Sequence, residues 1–350
     1  SAMTGYTISE VLAKYTKSVS PNTVYYTTPA KSLGSNFSSS LDSDAVQLLN
    51  NQDPFSTVVE SLSKDSVTTV FTDETTLLKS LPHLYRLKSF PVIVNVDLHL
   101  QDYSVIPSLK DLGFTTFISN NASEARAAAE KSAEVVSQLL QPVFHFVNLS
   151  TGAVDISDLT IQERTLVEEP VADYSLEFSK FEYVSSSSSP IALIVNLSPY
   201  GKEFADSLPS TVALLDIKVY KPWDLEEILE LVPASVKKIA IVQRSNSKSS
   251  TGGFEPILLD FFTDFNKLIE RDIQEIVVTN VGDLQSKYSE ALDQIVSNIT
   301  SAKPDQSLFI GDANKNVEAT ELSSSIGKVL ALEQAYLKVL QQLFNSNLQI

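Results

Sequence analysis

The sequence predicts an α/β protein with two three-layer domains, each built around a mainly parallel β-sheet. Short apolar and β-branched runs alternate along the chain with segments of helical periodicity, which is the order typical of β-α-β units. The 350 residues also exceed the usual size of one hydrophobic core. A serine run at 185–189 separates the two sets of elements. We therefore expect one domain on each side of that run.

The first domain is predicted over residues 44–150. Its strands are expected near 67–72, 91–96, 115–119 and 143–147. A helix is predicted from Ala122 to about Leu140, because Asn121 is a favourable N-cap and Glu124 follows three residues later. Alanine and valine residues recur on one face of that helix and indicate the side that is buried.

The second domain is predicted over residues 190–312, after an acidic and serine-rich junction at 151–189. Its strands are expected at 191–196, 213–220, 239–243, 275–279 and 308–310. Its helices are expected near 201–207, 224–231, 256–270 and 285–300. The helix at 224 has a clear start, because Pro222 interrupts the preceding strand and Asp224 and Glu227 form a capping box.

The two ends of the chain are predicted to lie outside these domains. Residues 1–43 are expected to be an N-terminal extension with a short helix at 8–15 and a strand at 24–27. Residues 313–350 are predicted as a long C-terminal helix that leads to further domains, because apolar residues recur there at helical spacing. Ser1-Ala2 before Met3 is typical of a cloning remnant. Because the sequence stops at Ile350 directly after the helical pattern, we expect a truncated chain.

Composition excludes several classes of function. There are 43 acidic and 26 basic residues, a net charge of −17, which disfavours nucleic acid and anionic membrane surfaces as partners. No apolar run approaches the ~20 residues of a membrane span, and no secretory signal follows Met3, so a cytoplasmic protein is expected. The sequence contains no cysteine, which excludes disulfides, thiolate nucleophiles and thiolate metal ligands from this chain.

One cassette, from Val212 to Leu259, carries a family resemblance. Lys221-Pro222-Trp223, Gln243-Arg244 and Glu255-Pro256-Ile257 resemble successive motifs in the transketolase-C-terminal-like domain of 2-oxoacid:ferredoxin oxidoreductases. The first half resembles that family's thiamine-pyrimidine domain, in the order 68–72, 113–114, the helix from 122, and 142–146. The resemblance covers roughly residues 45–300. It implies two degenerate thiamine-enzyme-like domains.

Longer matches resemble one particular family, the β subunits of fungal NADPH-dependent assimilatory sulfite reductases, in their N-terminal region. The matching segments are 48–54 (LLNNQDP), 71–76 (FTDETT), 100–104 (LQDYS), 196–200 (NLSPY) and 342–350 (QLFNSNLQI). This resemblance implies that the full-length protein is an oxidoreductase that reduces sulfite to sulfide in sulfate assimilation. Its implied centres are sirohaem, a 4Fe-4S cluster and FMN, with FAD and NADPH on the partner subunit. None of these is expected to have ligands in this chain.

The role expected for the chain itself is therefore non-catalytic, namely docking against the flavoprotein α subunit and assembly. Dimerisation of the fragment is also possible, since a lone pair of such domains should expose apolar surface. The alternative from another class is a thiamine-diphosphate-dependent 2-oxoacid oxidoreductase subunit. A third hypothesis, a small-molecule-binding regulator, requires a polar-lined pocket at the domain interface.

No catalytic, cofactor-binding or metal-binding residue is assigned from the sequence. The glutamate that activates thiamine in the resembled family falls near Asn51, and an amide cannot replace that carboxylate. The spacing of Gly252-Gly253 matches neither the GxGxxG motif nor a P-loop, so the pair indicates a flexible loop. Asp73-Glu74 follows a strand, where it is compatible either with a site or with a helix start.

Other candidates are interpreted structurally. His83, His99 and His145 are too scattered to predict a metal site, and His145 is expected to be a hydrogen-bonded core residue. The helix after Pro256 carries three carboxylates that are predicted on a mostly solvated face: Asp260, Asp264 and Glu270.

Overall fold

The computed structural model describes residues 5–19, 24–27, 46–49, 52–149, 159–174 and 177–313. Within these residues, two sheets of mostly parallel strands are covered by helices. The predicted α/β fold class is therefore confirmed. The predicted C-terminal helix, apart from its first residue, and Asn51 lie outside the described residues.

The first sheet contains six strands from the first half of the chain. They are β1 (Val24–Tyr26), β2 (Val46–Leu48), β3 (Thr68–Asp73), β4 (Val92–Asp97), β5 (Thr115–Ser119) and β6 (Val143–Val147). They pair in parallel in the order β5-β6-β4-β3-β1-β2. Every residue of β3 to β6 is buried, as expected for parallel strands covered on both faces. Because β1 pairs with β3, residues 24–26 are part of this sheet rather than of a separate extension.

Helices cover both faces of the first sheet. They are α1 (Ile8–Val19), α2 (Pro54–Glu60), α3 (Glu74–Lys79), α4 (Leu81–Leu87), α5 (Val105–Ser108) and α6 (Ala122–Leu139). The predicted start of α6 is confirmed, since the backbone N–H of Glu124 donates to Asn121 Oδ1 at 2.9 Å. Buried residues of α1 pack against the alanine face of α6 and form a small core, which includes Val11, Leu12, Tyr15, Ala125 and Ala129.

The rest of the described chain contains seven strands. They are β7 (Phe181–Val184), β8 (Ala192–Leu197), β9 (Val212–Ile217), β10 (Val219–Lys221), β11 (Lys238–Arg244), β12 (Glu275–Val281) and β13 (Ser307–Ile310). All except β10 form the second sheet, in the order β13-β12-β11-β8-β9-β7. β7 is the antiparallel edge strand, which places residues 181–184 of the predicted junction inside this sheet.

The helices described in the second domain range from 6 to 13 residues in length. They are α7 (Gly201–Asp206), α8 (Leu225–Leu231), α9 (Pro256–Phe261), α10 (Phe265–Glu270) and α11 (Tyr288–Thr300). The single helix predicted at 256–270 is divided by a 3₁₀ turn at Phe262–Asp264. Asp264 then caps α10 by accepting from the N–H of Lys267 at 3.3 Å. No described helix has the length and apolar character needed to cross a bilayer.

The chain crosses from one sheet to the other at Lys218. The predicted strand at 213–220 is two strands, because β9 pairs in the second sheet and β10 pairs antiparallel with β5 of the first. The two domains therefore share a strand connection. They also share a core, since Phe114 of the first domain and Tyr220 and Phe261 of the second lie in one hydrophobic cluster.

Residues 159–174, another described part of the predicted junction, follow the outer side of α6. The N–H groups of Val167 and Val171 donate to the carbonyls of Ser137 and Gln138, each at 3.0 Å. This segment therefore packs on the first domain.

Candidate functional site

An interdomain cleft of ≈ 720 Å³ opens between the two sheets. It lies where the carboxyl ends of β5, β8 and β9 face each other, which is the edge at which open α/β sheets bind ligands. The residues that line it are mostly polar: Asn120, Asn121, Ser123, Glu124, Glu182, Val184, Pro199, Gly201, Lys202, Glu203, Ala205, Leu214, Asp216 and Lys218. The third hypothesis from the sequence required such a polar-lined pocket.

Lys218 is the central charge of the cleft. Its Nζ forms ion pairs with Glu124, with Asp216 at 2.9 Å and with Glu182 at 3.6 Å. Burial by itself would lower the pKa of Lys218, but the Asp216 and Glu124 carboxylates raise it above its ordinary value. Burial raises the pKa of Asp216, and Lys218 opposes that effect. Lys218 therefore stays protonated and connects the two domains.

Neighbouring residues hold these carboxylates in place. The N–H of Asn120 donates to Glu124 Oε2 at 2.8 Å, and Asn196 Nδ2 donates to Asp216 Oδ1 at 2.9 Å. Gly201 lies so close to Asp216 that a Cβ there would come 2.7 Å from Asp216 Oδ2. A glycine at the start of α7 is therefore required by this approach.

A second cavity of ≈ 330 Å³ adjoins the cleft on the outer side of α6. The two share Ser123, Glu124 and Lys218 in their walls. The other walls of this apolar cavity are mostly hydrophobic: Phe117, Ile118, Ala127, Ala128, Lys131, Phe178, Ser179 and Val219. A polar cleft thus meets an apolar cavity at the ion pair between Lys218 and Glu124.

The motif residues of the second domain meet in a buried polar network at the ends of β11 and β12. Asn280 donates from Nδ2 to Glu255 Oε1 at 2.9 Å and accepts at Oδ1 from the Ser245 hydroxyl at 2.8 Å. Gln243 Nε2 also donates to Asn280 Oδ1, at 3.3 Å. Arg244 extends the network across the interface, since its carbonyl accepts from the N–H of Tyr103 at 2.9 Å. This network supports the loop that precedes α9.

Asp73 and Glu74 have different structural roles. Asp73 caps α3 by accepting from the N–H of Thr76 at 3.3 Å. Glu74 is buried, and its Oε1 accepts from the N–H of Leu100 at 3.0 Å. Burial raises the pKa of Glu74 to about 9, and Asp97 on the next strand has its pKa raised by burial to about 6. Glu74 is therefore a neutral carboxyl group near pH 7.

His145 is fully buried on β6, as predicted from its apolar strand. Its Nε2 lies 2.7 Å from the Ser119 hydroxyl, and its Nδ1 lies 3.2 Å from Asn95 Oδ1. Burial lowers the pKa of His145 to about 3, so its ring is neutral. His83 pairs with Asp53 at 2.7 Å and His99 is exposed, so the structure does not bring the three histidines together.

The prediction of a solvated carboxylate face on α9 is wrong for Asp260, which is buried. It accepts from the Tyr220 hydroxyl and forms an ion pair with Lys110 of the first domain at 3.1 Å. Helical spacing places it beside Ile257, three positions earlier, which is also buried. Glu270 is exposed as predicted.

The Gly252-Gly253 loop passes close to the backbone at Gln306. Both residues have positive φ, and a Cβ on Gly253 would lie 2.1 Å from the carbonyl oxygen of Gln306. Only glycine fits there.

No family model matches the chain. Over 98% of its length the chain is 46% identical to sulfite reductase (NADPH) subunit beta of Saccharomyces cerevisiae, of which it covers 25%. The subunit of the same name from Schizosaccharomyces pombe is 22% identical over 87% of the chain, which covers 24% of it. The chain is related to the sulfite reductase (NADPH) β subunits. It spans about a quarter of the length of these curated relatives.

Solved structures confirm the predicted architecture. A split-gene transketolase, described as an inactive β4 tetramer, superposes with a TM-score of 0.57 at 12% identity and covers 83% of this chain and 96% of its own. A 2-oxoglutarate:ferredoxin oxidoreductase from Magnetococcus marinus superposes with a TM-score of 0.56 at 10% identity, over 83% of this chain and 65% of its own. At these identities the likeness is one of fold.

The side chains of this sulfite reductase relative do not fit a thiolate-ligated cluster. The 350-residue sequence contains no cysteine, and among the described residues no three histidine or acidic side chains group as metal ligands. A 4Fe-4S cluster needs cysteine thiolates. This chain therefore supplies no thiolate ligand for such a cluster.

Sequence reasoning missed the cleft because its residues come from distant segments. Glu124 and Lys218 are 94 positions apart. The available signal was weak: a lysine at 218 interrupts an otherwise apolar run, and an acidic residue at 216 precedes it.

Proposed function

We propose that this chain is a non-catalytic, N-terminal part of the β subunit of an assimilatory NADPH-dependent sulfite reductase, and that it docks in the cytoplasm against the flavoprotein α subunit. The observation that carries the proposal is the 46% identity to a β subunit over 98% of this chain. The lack of cysteine supports a role separate from the sirohaem and 4Fe-4S chemistry. FMN, FAD and NADPH would likewise act elsewhere in the complex.

The surface that best fits docking is an exposed apolar patch formed by α9, α10 and the residues beside these helices. Its members are Phe254, Leu259, Phe262, Phe265 and Ile269, with exposed fractions of 40% to 69%. Large apolar side chains grouped this way on a strongly acidic chain typically mark a protein interface. Interface cores are rich in aromatic residues and poor in charge, which is the character of this patch. We assign it to the α subunit.

The test is a calorimetric titration of the chain with the flavoprotein α subunit. The variant Phe262→Ser/Phe265→Ser/Ile269→Ser should lose binding, because it removes three apolar contacts from the patch. A matched variant changes exposed apolar residues on α3 and α4 instead, Leu78→Ser/Leu81→Ser/Tyr85→Ser, and should bind like the unmodified chain. A monomer without affinity for the α subunit would refute docking.

Sedimentation of the chain alone tests the related proposal of a homodimer. Self-association that is abolished by Phe262→Ser/Phe265→Ser/Ile269→Ser would assign the patch to a second copy and remove it as the α-subunit surface.

The alternative function is a thiamine-diphosphate-dependent 2-oxoacid oxidoreductase subunit, which the structural neighbours favour in fold only. A parallel titration with thiamine diphosphate and Mg²⁺ separates the two. Binding of thiamine diphosphate without binding of the α subunit would favour the alternative, whereas the reverse supports docking.

A further inference from the structure

The segment that follows β4, residues 98–104, joins the first domain to the second. The carbonyl of Leu100 accepts from Asn246 Nδ2 at 2.7 Å, and the N–H of Tyr103 donates to the carbonyl of Arg244 at 2.9 Å. Arg244 also donates from Nη1 to Asn246 Oδ1 at 3.1 Å, so the two contacts belong to one hydrogen-bonded unit. This joint between the domains therefore depends on where the 98–104 segment is held.

Glu74 holds that segment from the side of the first domain. Its Oε1 accepts from the N–H of Leu100 at 3.0 Å, so Leu100 is bonded to Glu74 through its N–H and to the second domain through its carbonyl. Glu74 is only 3% exposed, and its Oε2 has no hydrogen-bond partner among the described residues. An ionised carboxylate that is buried without enough donors is costly. The geometry therefore favours a protonated carboxyl group.

The charged groups that act most strongly on Glu74 are carboxylates. They belong to β3, to β4 and to the segment after β4, and they are Asp73, Asp97 and Asp102. His99 acts on Asp97 and partly offsets its charge. Burial and the three carboxylates raise the pKa of Glu74 to about 9, although the N–H of Leu100 opposes them. Ionisation of Glu74 in its buried position is therefore unfavourable, and contact with water relieves it.

We propose that the protonated carboxyl group of Glu74 is a latch between the two domains. While the proton is present, Glu74 holds the 98–104 segment against the second domain. When the proton passes to solvent, the carboxylate turns to water and the N–H of Leu100 loses its acceptor. The contacts to Arg244 and Asn246 then open with the segment. This inference does not depend on docking to the α subunit.

The latch should open more often as pH rises. In the closed state the pKa of Glu74 is about 9, and in an open state that water reaches it returns to the ordinary 4.5. Between these values the closed state holds a proton that the open state has released. The equilibrium constant for opening therefore increases by up to about tenfold per pH unit. The latch is closed in acid and weakens through neutral pH.

The test is amide hydrogen exchange of the full chain, followed residue by residue by NMR between pH 6 and pH 8. Leu100 reports the contact with Glu74, and Tyr103 reports the contact with the second domain. The variant Glu74→Gln keeps the acceptor and cannot ionise, so the ratio of unmodified to variant exchange rates cancels the intrinsic effect of pH. We expect this ratio to rise about a hundredfold over the two pH units at both amides.

Two further variants and a denaturant isolate the latch. Glu60→Gln, at an exposed glutamate on α2, should exchange like the unmodified chain at every pH. Asp102→Asn removes a carboxylate that acts on Glu74 and should reduce the rise, because an ionised Glu74 is then less unfavourable in place. Dilute urea separates the latch from global unfolding, since a local opening exposes little surface and hardly responds to urea.

A ratio that stays constant with pH would overturn the latch, because Glu74 would then not control the opening. If exchange at Tyr103 does not follow exchange at Leu100, the segment leaves Glu74 without leaving the second domain, and the interdomain role is wrong. Exchange of both amides with the urea dependence of the slowest core amides would refute a local opening. Each of these results leaves the calorimetric test with the α subunit unaffected, so the two proposals fail separately.

Discussion

Lys218, between the two sheets, forms an ion pair with Glu124 in the first turn of α6. Both side chains are largely buried, and Asp216 also contacts the ammonium, at 2.9 Å. The pair thus joins the second domain to the helix that forms one wall of the first. Because removing one partner of a buried pair leaves the other charge uncompensated, the contact should matter for stability.

We expect Lys218→Met to lower the free energy of unfolding by about 3 kcal/mol, because Glu124 and Asp216 lose their counter-ion. Urea denaturation measures this. Lys202→Met, at an exposed lysine of the same cleft, should change stability by less than about 0.5 kcal/mol. The double variant Lys218→Met/Glu124→Gln should lose less than the two single losses added together. Strict additivity would show that the pair is not coupled.

Glu74 should make the protein less stable as pH rises. Its folded pKa of about 9 exceeds the ordinary value of 4.5, so between these values the folded state holds a proton that the unfolded state has released. The contribution is fully present below about 4.5 and is lost as pH approaches 9, with a slope of at most about 1.4 kcal/mol per pH unit.

The variant Glu74→Gln removes this titration and keeps the acceptor for the N–H of Leu100. Its stability relative to the unmodified chain should increase steadily from pH 5 to pH 9. Glu60→Gln, at an exposed glutamate on α2, should show no such trend. A constant difference across this range would mean that Glu74 is ionised in the folded protein.

His145 should make the protein less stable as pH falls, which is the opposite of the effect of Glu74. Burial lowers its folded pKa from 6.5 to about 3, so the unfolded state binds more protons between these values. Stability from this residue is therefore present above about 6.5 and is lost as pH falls toward 3. His145→Gln should reduce the acid sensitivity of the urea midpoint, whereas His99→Gln, at an exposed histidine, should not. Parallel pH profiles for all three proteins would contradict this account.

The sequence predicts interactions between residues that are close together along the chain, and it does not predict interactions between residues that are far apart along it. The N-cap of α6 follows from Asn121 and Glu124, which are three positions apart, and the buried strands follow from continuous apolar runs. These signals are local. The crossing at Lys218 is not, because a single apolar run supplies strands to two different sheets.

Charged residues show the same limit. Asp260 was expected in solvent because carboxylates usually are. Its partners Lys110 and Tyr220 are 150 and 40 positions away, so only the fold reveals that it is buried. Its spacing of three positions from the buried Ile257 was a usable local signal for its burial, although not for its partners.

Asp260 should be the most sensitive of the three carboxylates that follow Pro256. Asp260→Asn keeps an acceptor for the Tyr220 hydroxyl but leaves the ammonium of Lys110, whose side chain is 14% exposed, without its counter-ion. We expect a loss of about 3 kcal/mol in the free energy of unfolding, because an unpaired buried charge is costly. The ion pair joins the two domains, so hydrogen exchange should also accelerate around Lys110 and in α9. Glu270→Gln, at an exposed acid on α10, should leave both measurements unchanged. If Asp260→Asn instead matches that control, Lys110 must obtain its stabilisation from the carbonyl of Pro256, to which it also donates at 2.8 Å.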